Sequence, residues 1–202
     1  MKAFWTRLIL LLAVPAFMLV AGFVWLISTG LSARTEPGAL EMRIARIAQR
    51  LAIPSSIAKL TNPMQASPEL LVDARRHFAD HCASCHANDG SGKTEMGQKM
   101  YPRVPDMRSA ETQSLTDGEL YYIIENGVRF TGMPAWGTGG REDHDTWHLI
   151  LFIRQLPHLT PEDMSDMKEH NPQSPAEMKE QQLENNFLNE QPEQHNSSNH
   201  HR

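Results

Sequence analysis

Cysteine is scarce in this sequence, because only two of its 202 residues are of that type. Positive charge is not in excess either: the formal net charge is −5, and 21% of the residues are charged. This balance argues against a nucleic-acid-binding protein and against a chain that is disordered throughout. Long apolar runs are equally rare, and only the stretch from Leu8 to Ile27 extends for twenty residues as an apolar run without a charge. The information therefore lies in a few short motifs.

Both cysteines lie in one motif, Cys82-Ala83-Ser84-Cys85-His86. This is the pattern of c-type haem attachment. Two thiols three residues apart on one helical turn can each add to a vinyl group of the same porphyrin, and His86 can then bind the iron as the proximal ligand. The motif predicts one covalent haem c, held through Cys82 and Cys85.

Three other uses of the two cysteines are alternatives. A structural zinc site would join Cys82 and Cys85 to two of His77, His81 and His86, but no second ligand pair follows at zinc-finger spacing. A dithiol redox site of the thioredoxin type needs a βαβ context, whereas the flanks here are predicted to be helical. A structural disulfide across this spacing would be strained and reactive. We therefore favour haem attachment.

An iron held by one histidine needs a second axial ligand, and Met133, 47 residues after His86, is the best candidate. Gly132 lets the backbone pass close to a porphyrin, and Pro134 fixes the turn that follows. A buried core methionine is the ordinary alternative. The weaker ligand candidates are Met96, Met100, Met107, His144 and His148.

The combination of Cys-x-x-Cys-His with Gly-Met-Pro resembles a class I cytochrome c, which carries a single haem, over about residues 68–160. The resemblance implies an all-α domain around one haem c, in which an aromatic side chain of the first helix packs against the last helix. Phe78 and Trp147 are our candidates for that pair. Filling both axial positions leaves no room for a substrate, so we expect an electron carrier without enzyme activity.

Four further residues are candidates for the haem surroundings. In the resembling family, a proline carbonyl accepts the proton on the second nitrogen of the haem histidine, and both Pro102 and Pro105 could serve. Arg103 is a candidate partner for a haem propionate. Trp136 is a candidate for the wall of the haem pocket, although aromatic residues are commonly just core.

Capping signals place the helices of this domain. Ser67-Pro68-Glu69 predicts a helix start, and that helix should run to about Asp80. Thr116-Asp117-Gly118-Glu119 is a capping box for a second helix, which should end at Gly127. A last helix is expected from about Asp143 to Leu156.

The run from Leu8 to Ile27 predicts a transmembrane helix, because twenty residues at ~1.5 Å rise cover ~30 Å of hydrocarbon. A cleaved signal peptide is the competitor, but its apolar core usually has only about 7 to 15 residues. Basic residues flank the run on both sides and do not decide its orientation. In the resembling family haem is attached outside the bacterial cytoplasm, which implies a cytoplasmic N-terminus and an external haem domain.

Four segments follow from these signals: residues 1–33 with the anchor, a linker at 34–66, the cytochrome domain at 67–160 and a tail at 161–202. In the linker, Leu40, Ile44, Ile47, Ala48 and Leu51 recur at helical spacing, whereas Arg43, Arg46 and Arg50 lie on other faces. This amphipathic helix would either pack on the haem domain or lie on an anionic membrane surface. The first of these, or a plain spacer, is the ordinary expectation.

The tail is acidic and rich in His, Gln and Asn. A short helix after Thr160-Pro161 is expected, and beyond His170 the composition predicts disorder. A copper site formed by tail histidines and methionines is an alternative to simple composition bias. The tail residues concerned are His195, His200, His201, Met164, Met167 and Met178.

The sequence as a whole predicts a membrane-anchored monohaem c-type cytochrome that passes single electrons between protein partners on the outer side of the bacterial inner membrane. No nucleic acid and no small-molecule substrate are expected. One alternative is a haem sensor or peroxidase-like enzyme with a displaceable sixth ligand. Another is a cytochrome or copper-handling subunit of a larger oxidoreductase complex.

Overall fold

The computed structural model describes residues 2–29, 32–137, 144–173 and 175–189, and within them it contains helices and no strand. The helical domain agrees with the all-α class expected from the sequence. No helix among these residues is both long and apolar enough to cross a membrane. In chain order the α-helices are α1 Lys2–Thr29, α2 Ala39–Ala52, α3 Ser55–Ala58, α4 Pro68–His77, α5 Ala83–His86, α6 Glu95–Lys99, α7 Ala110–Gln113, α8 Asp117–Asn126, α9 His144–Gln155, α10 Pro161–Glu169 and α11 Pro175–Asn189.

Caps set the start of α4 and α8 where the sequence places them. The Ser67 hydroxyl accepts a hydrogen bond from the Leu70 N–H at 3.2 Å, with Pro68 in the first turn of α4. At α8, Thr116 and Glu119 form both hydrogen bonds of a capping box. A π-helical turn, Phe78–Cys82, follows α4 and leads directly into α5. The chain is therefore helical up to and through the cysteine motif.

The core lies where α4 packs against α9, with α8 packed on α9 beside it. Phe78 and Phe152 are each 1% exposed, and their ring centroids are 5.1 Å apart. Trp147 instead stacks on Tyr121 at 4.3 Å. The predicted pairing of Phe78 with Trp147 is therefore wrong, because the later part of α9, which carries Phe152, crosses α4 at Phe78.

The linker before α4 is fastened across the start of α8 and along α9. The Thr116 hydroxyl donates to the Ala58 carbonyl at 2.7 Å, and the Gly118 N–H donates to the Leu60 carbonyl at 3.2 Å. The Asn62 amide donates to the Trp147 carbonyl at 2.8 Å. A Cβ at position 118 would lie 1.9 Å from the carbonyl oxygen of Ile57, so only glycine permits this approach. The domain thus takes in part of the segment that the sequence assigns to a linker.

The segment after Thr160 also differs from the expectation. The expected short helix is present as α10, and it packs on α4: Arg75 forms ion pairs with Asp163 and, at 3.0 Å, with Asp166. Met167 is fully buried in the core. Helix α11 occupies part of the region for which composition predicts disorder. The packed domain therefore extends past the boundary drawn at Thr160, whereas His195, His200 and His201 lie outside the described residues.

Candidate functional site

The π-helical turn and α5 place both cysteines and the histidine on one short stretch of helix. Cys82 and Cys85 are half-buried free thiols. Burial, with a smaller contribution from the neighbouring Cys85 thiol, raises the pKa of Cys82 to about 12. The side chain is therefore a neutral thiol at pH 7, in a position shielded from solvent. Within the described part of the chain, no group of three or more His, Cys, Asp or Glu side chains is arranged to hold a metal ion.

Burial determines the state of His86. It lowers the pKa of this imidazole to about 4, so the ring is neutral at pH 7. A neutral imidazole is the form that binds a metal. The ring centroid lies 6.4 Å from that of Phe78, which ties the histidine to the core. The donor set of two protected thiols and one neutral imidazole fits a covalently attached haem.

The second nitrogen of the imidazole, His86 Nδ1, is buried and has no hydrogen-bond partner among the described residues. The bond expected from the carbonyl of Pro102 or Pro105 is thus not formed in this structure. The two prolines are not equivalent, however. The Pro105 carbonyl lies 3.1 Å from the position of a Cβ at Gly92, and the Gly92 N–H donates to the His86 carbonyl at 2.8 Å. The Pro105 carbonyl therefore lies close to Gly92, the residue that is hydrogen-bonded to the His86 backbone.

Met133 lies in a loop that its own backbone holds in shape. The Val128 N–H donates to the Met133 carbonyl at 3.1 Å, and the Met133 N–H donates to the Thr131 hydroxyl at 3.1 Å. The loop then folds back along α8, where the Trp136 N–H donates to the Ile124 carbonyl at 3.1 Å. Met133 is half-buried. The Met133 thioether is thus carried by a loop whose shape is held by its own hydrogen bonds.

Gly127 makes this turn possible. Its φ of +63° lies in the left-handed region, and it ends α8. A Cβ at this position would lie 2.5 Å from the carbonyl carbon of Pro134 and 2.7 Å from the carbonyl oxygen of Met133. Only glycine allows the loop to approach the end of α8 so closely.

Helix α6 connects the cysteine motif to the methionine loop. At one end, the Thr94 hydroxyl donates to the Cys85 carbonyl at 3.0 Å, and Met96 Sδ lies 3.4 Å from Cys85 Sγ. Beyond its other end, Met100 Sδ lies 2.5 Å from the position that a Cβ at Gly132 would occupy. Met96 and Met100 thus contact the two halves of the site. Sequence reasoning ranked them only as weaker ligands, although their spacing of four residues could have indicated a shared role.

The other predicted candidates lie further from this arrangement. Arg103 pairs with Glu36 at 2.9 Å and donates to the Gln98 side-chain oxygen at 3.2 Å. Trp136 is 43% exposed, and its ring meets His81 edge-on at a centroid distance of 5.9 Å. Met107 is 9% exposed and belongs to the hydrophobic core. His144 is exposed on α9, whereas Nε2 of His148 is buried and lacks a hydrogen-bond partner among the described residues.

Sequence reasoning gave no role to a buried polar pair beside the methionine loop. The Thr146 hydroxyl donates to the Glu125 carboxylate at 2.6 Å, and both residues are buried. The Glu125 carbonyl accepts the Gly137 N–H at 3.1 Å, so this residue also supports the returning part of the loop. No motif marks either residue, since a single acid and a single threonine on separate helices form no pattern in the sequence.

Comparison with known proteins supports the assignment of the cysteine motif to covalent haem attachment. Residues 69–153 match the family model described as cytochrome C oxidase, cbb3-type, subunit III. A curated relative from Rhizobium leguminosarum bv. viciae, the Cbb3-type cytochrome c oxidase subunit FixPc, is 30% identical over 97 residues. The aligned part is 48% of this chain and 31% of that relative, so the chain spans about a third of the relative's length.

These similarities confirm the resemblance to a class I cytochrome c with a single haem. They also confirm covalently bound haem c as the cofactor and electron transport as the role of the domain. The matched range includes the cysteine motif, the methionine loop, helix α8 and nearly all of α4 and α9.

Proposed function

We propose that the chain is a membrane-anchored monohaem cytochrome that passes single electrons to or within an oxidase complex on the outer side of the membrane. The observation that carries the proposal is the neutral, partly buried His86 directly after two half-buried thiols, with Met133 on a loop closed by hydrogen bonds. Haem supplies one-electron chemistry at its iron when it is bound. The residues of the chain would hold and orient it and would set its potential.

Each site residue has a definite part in this proposal. Cys82 and Cys85 would each add their S–H across a porphyrin vinyl group, which gives two thioether bonds. His86 would bind the iron through Nε2 as a neutral imidazole. Met133 would supply a soft, neutral thioether as the second ligand, which would favour ferrous over ferric iron and raise the potential. If His86 and Met133 both bind the iron, no position on the metal would remain open to a substrate.

The acceptor is proposed from similarity. The relative is described as an oxidase subunit, and the family model is that of an oxidase subunit III. We therefore propose that this cytochrome works with an oxidase, either as a subunit or as a donor to it. Electron-transfer encounters occupy the low end of interface size, so a donor should bind its partner weakly and transiently. Co-purification from native membranes distinguishes the two, because only a subunit should remain with the complex in mild detergent.

The anchor and its orientation are proposed from the sequence alone. The apolar run from Leu8 to Ile27 contains no charge, and haem attachment in the resembling family occurs outside the cytoplasm. No spanning helix is found among the described residues, so a direct test is required. Washing membranes with alkaline carbonate should leave the chain in the pellet. Recovery of a soluble product that begins near Arg34 would instead identify a cleaved signal peptide.

Replacing Met133 distinguishes an electron carrier from a haem enzyme or sensor with a displaceable sixth ligand. The Met133→Ala protein should have a lower potential than the wild type, and its ferrous form should bind carbon monoxide, because one axial position is open. The wild type should be six-coordinate and should not react with carbon monoxide. Met100→Ala is the matched control, since Met100 also lies at the loop. If Met133→Ala keeps its potential and still excludes carbon monoxide, His144 or His148 becomes the leading ligand candidate.

A further inference from the structure

The leucine and isoleucine side chains of α2 share one face, and that face is exposed. They follow one another at spacings of four, three and four residues, which places them in one line along the helix. We call this line the apolar stripe. Its members and their exposed fractions are Leu40 at 72%, Ile44 at 58%, Ile47 at 53% and Leu51 at 81%. No residue of α2 is buried. An exposed apolar line of this length indicates a binding surface.

The rest of the molecule holds α2 by its other sides. The Tyr101 hydroxyl donates to the Glu41 carboxylate, and Arg46 pairs with Glu111 at 2.7 Å. Successive residues of an α-helix are about 100° apart, which places Met42 about 180° from the stripe. Met42 is partly covered, so this opposite side of α2 faces the domain. The polar sides therefore fix the helix to the haem domain, and the apolar stripe points away from it.

We propose that α2 lies in the interface of an anionic membrane, with the apolar stripe at the boundary of acyl chains and headgroups. This proposal rests on the anchor in the proposed function. The exposed Arg43 and Arg50 lie together along one edge of the stripe, where they can meet phosphate groups. The one acid of the helix, Glu41, is turned to Tyr101. This pattern of an apolar face with a basic edge is typical of helices that bind anionic lipid.

The chain is short enough to bring α2 to the membrane. Helix α1 ends at Thr29 and α2 begins at Ala39, so fully extended chain between them spans at most about 35 Å. An anchor that ends at the membrane surface therefore keeps α2 within reach of the headgroups. The competing occupant is a helix of a partner protein, but the arginine edge is better matched to lipid phosphate.

The consequence is a fixed orientation for the haem domain. An anchor alone would let the domain tumble on its linker, whereas a second contact through α2 would hold one side of it against the membrane. Electron transfer to a membrane-embedded partner would then require a search in two dimensions, at a raised effective concentration. The contacts of Glu41 and Arg46 with the domain would transmit the orientation of α2 to the haem site.

Photo-crosslinking of the haem-loaded full chain tests this contact. The chain is placed in nanodiscs that contain phosphatidylglycerol, with p-benzoylphenylalanine at Ile44 or, as the control, at Ala45. Mass spectrometry should find lipid adducts at position 44 in at least about tenfold higher yield than at position 45, since only the stripe enters the bilayer. Adducts with protein, or equal yields at both positions, would overturn the proposal. If position 44 gave the same adduct yield in nanodiscs of phosphatidylcholine alone as in those with phosphatidylglycerol, the choice of anionic lipid would be overturned.

A pair of polar variants separates this proposal from the anchor. Ile44→Ser/Leu51→Ser should remove the lipid protection of α2 in hydrogen exchange, whereas Ala45→Ser/Ala52→Ser should retain it. Both variants should stay in the pellet after alkaline carbonate, because α1 is unchanged. If the wild type were itself washed off, the anchor would be refuted. Crosslinking with added phosphatidylglycerol vesicles would then still show whether position 44 contacts lipid more than position 45 does.

Discussion

Gly127→Ala should open the sixth coordination position although it replaces neither proposed ligand of the iron. The new Cβ would lie 2.5 Å from the Pro134 carbonyl carbon, against about 3.4 Å for ordinary contact. The backbone of the methionine loop would therefore have to retreat by about 0.9 Å, the difference of these distances. A functional constellation tolerates displacements of only about 0.5 Å, so the Met133 thioether should lose its position on the iron.

The same change should also reduce stability. Backbone in a sparsely populated region costs about 1–3 kcal/mol for a residue with a Cβ, and φ at Gly127 is +63°. We expect a loss of that size in the free energy of unfolding, measured with denaturant on the haem-loaded protein. The domain should remain folded, because the core of α4 and α9 is unaffected. Carbon monoxide binding by the ferrous protein and a fall in potential are the direct readouts.

Gly132→Ala is the matched control for this prediction. A Cβ at position 132 would meet only the end of the Met100 side chain, at 2.5 Å from Sδ, and that flexible end can swing aside. The control should therefore keep its potential and exclude carbon monoxide. The reasoning would be refuted if Gly127→Ala were folded, bound no carbon monoxide and had the wild-type potential.

Three further perturbations test other parts of the structure. Replacing both Cys82 and Cys85 by Ala should make the haem extractable by acid acetone, and haem that stayed bound would disprove thioether attachment. Phe152→Ala should lower the free energy of unfolding by about 3–5 kcal/mol, because it leaves a cavity in the core, and a loss below 1 kcal/mol would contradict the packing described. The Thr160 N–H, aided by the charge of Arg75, holds the pKa of Asp163 below its usual range. Its stabilisation is therefore present above the ordinary aspartate pKa, and we expect exchange protection of α10 to fall as pH drops through the lowered value. Arg75→Met should shift that loss to higher pH, and an unchanged profile would rule out this ion pair as a contributor.

The sequence predicts the local features well because their causes are local. The cap at Ser67 and the capping box at Thr116 each depend on residues within one helical turn, and both are present as expected. The cysteine motif and Gly-Met-Pro are short patterns that few chemical functions require, and both lie within the residues that match the family model. Helix starts and the class of the cofactor could therefore be predicted without coordinates.

The sequence fails where the outcome depends on contacts between distant segments. Phe78 packs on Phe152 and not on Trp147, a choice set by how α4 and α9 cross. The packing of α10 depends on Arg75, 88 residues before Asp163, which composition could not reveal. The exposed direction of the apolar stripe likewise depends on which side of α2 meets the domain. Periodicity shows that a helix has an apolar face but not where that face points.

The π-helical turn at Phe78–Cys82 has a consequence for how this site could change over time. Such a turn takes one extra residue into the helix, which rotates everything after it by about 100° relative to an uninterrupted α-helix. The extra residue thus changes the angle around the helix axis between the buried Phe78 and Ala79 and the cysteine pair that follows. A deletion of one residue here would preserve the helix and every motif residue, yet turn both thiols away from the site. Evolution must therefore keep the number of residues in this turn as well as the residues of the motif.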